Sequence, residues 1–120
     1  MIIFWGKVQT GHGRGKDLGF PSANISIHKN IGEGIYISEA KINGKIYPAL
    51  TFIGASITFG DKKYHSETYI LDFSGNIYNI WVSIKLLKKI RDNKKFGSVE
   101  DLIKAMNQDK KVAIDYFKNV

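Results

Sequence analysis

Ile35-Tyr36-Ile37-Ser38-Glu39-Ala40-Lys41-Ile42-Asn43-Gly44-Lys45-Ile46-Tyr47-Pro48-Ala49-Leu50-Thr51-Phe52-Ile53 is the stretch that decides the fold class. Apolar residues fall at 35 and 37 and then at 40 and 42, the alternation of a strand with a phase slip at Ser38-Glu39 that predicts a bulge. Asn43-Gly44 is the strongest short hairpin signal, because a type I′ turn needs positive φ at both positions. The return strand, Lys45 to Ile53, holds Pro48, which belongs at an edge or a bulge because it has no N–H to give a ladder. Further along, Tyr64 to Phe73 reads as a strand, and Ser74-Gly75-Asn76 turns it into Ile77 to Leu87. There Ile80, Val82, Ile84 and Leu86 share one face, with Trp81, Ser83 and Lys85 on the other. Ser98 is a good N-cap, with Glu100 and Asp101 suited to the first turn of a helix. Val99, Leu102, Ile103 and Met106 then recur at helical spacing, and Ala113, Tyr116 and Phe117 continue the stripe, which is expected to pack on the sheet. Asn107-Gln108-Asp109 is expected to break it into two helical pieces. Strands followed by a terminal helix predict a mainly β domain, a small barrel or sandwich with the helix packed outside. No helix separates the strands, so parallel βαβ folds are excluded.

The chain has 120 residues, no cysteine and a formal charge of +7. That length predicts one domain, residues 1–120, able to bury a single core. Fifteen aromatics (2 Trp, 6 Tyr, 7 Phe) and 43% hydrophobic residues exclude a disordered chain. The absence of cysteine excludes disulfides, a thiol nucleophile and thiolate metal sites. The longest charge-free stretch, Ile46 to Gly60, is 15 residues and interrupted by Pro48, short of the ~20 apolar residues of a membrane helix. Met1 to Trp5 is apolar but has no basic segment before it, so no signal peptide is expected and the expected location is the cytoplasm.

The charge is uneven. Residues 1–84 carry 8 basic and 6 acidic side chains, net +2, and residues 85–120 carry 10 basic and 5 acidic, net +5. A basic stripe from Lys85 to Lys95 suits nucleic acid, an anionic small substrate or plain solvation.

Three places are able to carry chemistry. Gly11-His12-Gly13-Arg14-Gly15-Lys16-Asp17-Leu18-Gly19 is a glycine-rich loop whose N–H groups suit phosphate oxygens, or else a hairpin. It is not a P-loop, since no Gly-Lys-Ser/Thr closes it onto a helix. In Phe20-Pro21-Ser22-Ala23-Asn24, the hydroxyl of Ser22 and the carboxamide of Asn24 are two residues apart on an extended segment. They offer oxygens on one side to a hard cation such as Mg²⁺, or cap a turn. Glu67, mid-strand, shares a face with His65, Tyr69 and Leu71. It is either a solvated carboxylate or a general base. His12, His28 and His65 lack zinc-ligand spacing, and no serine sits in a strand-to-helix elbow.

Taken in order, the glycine-rich loop, Leu-Gly-Phe-Pro-Ser-Ala-Asn at 18–24, Ser-Glu-Thr-Tyr-Ile-Leu-Asp-Phe at 66–73, Gly75-Asn76-Ile77-Tyr78 and Ile90-Arg91-Asp92-Asn93-Lys94-Lys95-Phe96-Gly97-Ser98-Val99-Glu100-Asp101-Leu102 resemble riboflavin kinase. The kinase module of the bifunctional riboflavin kinase/FAD synthetase is matched over nearly the whole chain. The resemblance implies a small closed antiparallel β-barrel of about six strands with a C-terminal helix outside. It implies transfer of the ATP γ-phosphate to the ribityl 5′-hydroxyl of riboflavin, giving FMN and ADP, with Mg²⁺ accompanying ATP. The family's Pro-Thr-Ala-Asn motif puts Ser22 in place of its Thr, and Asn24 matches, so these two would hold the metal–nucleotide. The catalytic glutamate falls on Glu67. The phosphate loop falls on Gly11, Gly13, Gly15, Lys16 and Gly19, and the flavin side maps onto Arg91, Phe96 and Leu102 at the start of the helix.

Where many bacterial members carry Asn-Ile-Gly-x-Arg-Pro-Thr-Phe, this chain has Phe52-Ile53-Gly54-Ala55-Ser56-Ile57-Thr58-Phe59, without the Asn, Arg and Pro. The chain opens on the first barrel strand without an adenylyltransferase domain. It is therefore expected to make no FAD alone, as a stand-alone kinase or an excised domain. Two rival readings are a degenerate module that holds flavin or nucleotide without turnover, and a basic barrel that binds single-stranded nucleic acid. The second leaves Ser22, Asn24 and Glu67 unexplained, so nucleic acid and membrane are not expected as partners; a monomer is.

Overall fold

A computed structural model describes residues 2–9, 23–27, 31–55, 64–71, 73 and 79–119. The elements are β1 (Ile2–Lys7), β2 (Ala23–Ile25), β3 (Gly34–Ile42), β4 (Lys45–Gly54), β5 (His65–Ile70), β6 (Trp81–Arg91) and α1 (Val99–Lys118). The six strands form one antiparallel sheet in the order β1-β6-β3-β4-β5-β2. The sheet curls until its ends meet: just past β1, the Gln9 N–H donates to the Asn24 carbonyl of β2 at 2.8 Å. Gly6 permits that approach, since a Cβ there would stand 2.7 Å from Ile25 Cγ2. The expected mainly β, barrel-like architecture with an outer C-terminal helix is therefore observed.

The hairpin forms as read, with Asn43 at φ 51° and Gly44 at φ 81° joining Ile42 to Lys45. Pro48 pairs with Glu39 of β3 on one side and lies one residue beyond the β4–β5 pairs on the other, an edge position as expected, and it costs the β3 ladder nothing. Its carbonyl accepts from Leu71 N–H at 2.9 Å, and since N and C=O of one strand residue point the same way, its donor-less nitrogen faces the side where β5 has already ended.

The bulge expected in β3 is not there. β3 pairs with β4 in unbroken register from Gly34 to Ile42. The slip at Ser38-Glu39 instead marks a change in which face is covered. Ala40 and Ile42 point into the barrel with Phe4, Ala49 and Ile84, whereas Ile35 and Ile37 lie on the outer face against Leu50, Leu71 and Ala113 of α1. The irregularities fall on β6, whose partners to β3 jump past Ile90 and Leu87. They rephase that strand so that Val82, Ile84 and Leu86 face inward while Leu87 and Ile90 join the helix-side cluster. β6 also begins and ends four residues later than expected. The turn at Ser74-Gly75-Asn76 lies outside the described residues.

A chain of hydroxyls crosses the barrel interior: Ser38 Oγ lies 2.8 Å from Thr51 Oγ1, which lies 2.9 Å from Thr68 Oγ1. Each is fully buried, and each finds a partner in the next.

α1 is capped as read. Ser98 Oγ accepts the Asp101 N–H at 3.1 Å, with Glu100 and Asp101 in the first turn. The expected break at Asn107-Gln108-Asp109 does not occur, and the helix runs unbroken to Lys118. Leu102, Met106, Asp109, Ala113 and Tyr116 recur at steps of four and three, so Asp109 sits on the inward stripe itself. No helix of the described residues is long and apolar enough to cross a membrane.

Candidate active site

Residues directly opposite one another in a sheet share a face. Asn24 on β2 is opposite Glu67 on β5, Glu67 is opposite Phe52 on β4, Phe52 is opposite Ile35 on β3, and Ile35 is opposite Arg91 on β6. One row across five strands thus carries Asn24, Glu67 and Arg91 on the outer, helix-bearing face. Strands are ~4.8 Å apart, so Asn24 and Glu67 are immediate neighbours while Arg91 is about 14 Å along the sheet from Glu67.

His65, Glu67, Tyr69 and Leu71 share this face, as strand alternation predicted. His65 Nε2 stands 3.2 Å from Glu67 Oε2, with the two side chains 14% and 27% exposed. The Phe52 ring meets the His65 ring edge-on, centroids 6.0 Å apart. Asn24 beside Glu67 brings a carboxamide oxygen and a carboxylate, both hard donors, to neighbouring positions. Among the described residues no group of three or more His, Cys, Asp or Glu side chains stands together. Such a sparse donor set fits Mg²⁺, which is commonly held by one or two protein oxygens with phosphates and water rather than in an all-protein cage. Ser22 and the loop residues Gly11, Gly13, Gly15, Lys16 and Gly19 lie outside the described residues.

At the far end of the row, Arg91 is held by Asp109. Nε donates to Oδ1 at 2.8 Å and to Oδ2 at 3.1 Å, and Nη2 donates to Oδ2 at 2.7 Å. The guanidinium also lies over the Phe96 ring, 5.5 Å from its centroid. Arg91 and Phe96 are therefore brought together; Leu102 is half-buried one turn into α1. Asp109 was missed in the sequence as anything but a helix breaker, although its place in the heptad-like stripe was the available signal.

The rim is tied by the segments flanking the row. Asn93 Nδ2 donates to the Ala55 carbonyl at 3.0 Å, and the Tyr64 hydroxyl donates to the Ile31 carbonyl. Partial burial, then the nearby Glu33 carboxylate and Tyr36, push the Tyr64 hydroxyl above its ordinary pKa, so it stays a donor. The basic stripe is partly self-neutralised. Lys89 Nζ lies 2.7 Å from Asp92 Oδ1, a hydrogen bond that holds the Asp92 carboxyl below the usual carboxylate range. With Arg91 on Asp109 as well, the stripe is not a row of bare cations, which counts against the nucleic-acid reading.

The riboflavin kinase (flavokinase) family model matches residues 2–117. The bifunctional riboflavin kinase/FMN adenylyltransferase of Bacillus subtilis (strain 168) is 32% identical over 121 residues, covering 96% of this chain and 38% of that protein. The chain thus spans less than two fifths of this relative. A solved Streptococcus pneumoniae structure described as a macrolide-efflux protein superposes with a TM-score of 0.81 at 31% identity, over 92% of this chain and 38% of that one. The riboflavin kinase of Trypanosoma brucei superposes with a TM-score of 0.65 at 23% identity, over 97% of this chain and 79% of that one, a likeness of fold.

Proposed function

The chain belongs to the riboflavin kinase family, and on that premise we propose that it transfers the ATP γ-phosphate to the ribityl 5′-hydroxyl of riboflavin, releasing FMN and ADP. The observation that carries the proposal is the register pairing of Asn24 with Glu67, a carboxamide beside a carboxylate, on the face that also bears Arg91 and Phe96. Glu67 orients the 5′-hydroxyl and takes its proton as the oxygen bonds to the γ-phosphorus and the bond to the β–γ bridging oxygen breaks. Asn24 and Ser22 would hold the nucleotide's Mg²⁺, which would neutralise phosphate charge there. By the family resemblance, Gly11, Gly13, Gly15, Gly19 and Lys16 would be the residues that bind the phosphates. Phe96 and Arg91, with Leu102, form the shelf for the isoalloxazine. Arg91 serves it as a flat cation, because its Nε and Nη2 are already engaged by Asp109. A cytosolic, monomeric enzyme, where ATP and riboflavin are both at hand, completes the reading.

The direct test is FMN formation from riboflavin, ATP and Mg²⁺, followed by chromatography. Turnover is expected. Tight riboflavin or FMN binding without turnover would establish the degenerate-module rival instead. In a folded Asn24→Ala protein, calorimetry is expected to show Mg-ADP affinity reduced about tenfold, the scale of one charge-assisted contact. Unchanged affinity would remove Asn24 from the site.

A further inference from the structure

Glu67 has three kinds of neighbour on its face of the sheet: Asn24 opposite it on β2, Phe52 opposite it on β4, and His65 two residues before it on its own strand. Phe52 offers no hydrogen bond. His65 places Nε2 3.2 Å from Oε2. A carboxylate on an exposed strand face ordinarily samples several rotamers, because its terminal torsion is broad. Here the imidazole is itself confined, 14% exposed and met edge-on by the Phe52 ring. The Phe52 ring thus bounds the imidazole on one side, and its Nε2 lies within reach of one carboxylate oxygen.

We propose that His65 is the positioning residue of the proposed active site. Its Nε2–H engages Oε2 of Glu67, and Oε1 is then the oxygen that receives the proton of the substrate hydroxyl. The inference rests on the kinase reading above, and it assigns His65 no proton transfer of its own. The division of labour follows from the geometry: a carboxylate has two oxygens, one is occupied at 3.2 Å, and a general base needs only the other within hydrogen-bond reach of its proton. Phe52 acts one step further out, as the wall that keeps the imidazole from turning away.

Two substitutions separate donation from packing. His65→Phe keeps an aromatic ring against Phe52 and removes the donor; His65→Asn removes the ring and keeps a donor. With donation as the role, kcat in His65→Phe is expected to fall about tenfold or somewhat more, within the ~10²-fold cost of a misplaced group. KM for riboflavin and for ATP should stay within about twofold, and His65→Asn should recover kcat to within about threefold of the unmutated protein. In a Glu67→Gln background, His65→Phe should lower kcat no further, because the two residues act as one unit. Thermal melts establish that each variant is folded. The reverse order, with His65→Phe normal and His65→Asn impaired, would make His65 a packing residue and overturn the inference while leaving the kinase reading intact. Absence of FMN from the unmutated protein would overturn the kinase reading, and this inference with it.

Discussion

Glu67→Gln is expected to lower FMN formation by roughly 10²–10⁴-fold, the usual contribution of a positioned general base. Glutamine keeps the length and shape of the side chain and still accepts a hydrogen bond, but it takes up no proton at neutral pH. The alteration is confined to one half-buried side chain whose strand neighbours Ser66 and Thr68 carry the interior contacts. The fold should therefore survive with a stability change within about 0.5–1 kcal/mol. Riboflavin affinity should change by less than about tenfold, since Glu67 is about three strands from the Arg91–Phe96 shelf. A fall in kcat with little change in KM is the signature of an interaction made chiefly in the transition state. Steady-state kinetics with both substrates would measure it. Near-normal turnover would make Glu67 a surface carboxylate and leave metal and orientation as the catalytic devices.

What was legible in the sequence was whatever depends on near neighbours. Asn43-Gly44 announced its turn because positive φ is a property of those two residues, and Ser98 announced a cap because the N–H it receives is three residues away. Alternation in β6 was readable over Val82, Ile84 and Leu86, where one face only is covered. It was misread over Ile35 to Ile42 because both faces of β3 are buried there, the second by a helix more than fifty residues later. No spacing rule distinguishes that from a bulge. The meeting of Asn24 with Glu67 was likewise illegible from spacing, since it is set by the pairing of β2 with β5; only the resemblance joined them in one function. Asp109 was misjudged for a related reason. A carboxylate on an apolar stripe looks like a break until the cation that answers it is found on another element.

That cation makes Asp109→Ala the variant with the largest expected cost to the fold. The Arg91 and Asp109 side chains are 25% and 9% exposed, joined at 2.7 Å in their shortest contact. Removing the carboxylate strands a guanidinium between sheet and helix. Breaking a buried pair in this way costs about 3–5 kcal/mol. Because a quarter of Arg91 still reaches solvent, the cost is discounted from that range, to roughly 2–4 kcal/mol. At about 4–8 °C per kcal/mol for a domain near 100 residues, Tm should fall by about 8–30 °C. Replacing both partners together, Arg91→Leu with Asp109→Leu, should restore most of that loss, since apolar side chains in the same place leave no charge to solvate. The same double variant should still raise KM for riboflavin, because Phe96 loses the guanidinium that lies over its ring. Stability and binding are thereby separated: the double variant folds well and binds poorly, whereas Asp109→Ala does both poorly. A melting temperature within about two degrees of the unmutated protein in Asp109→Ala would show that the pair does not fasten the helix to the sheet.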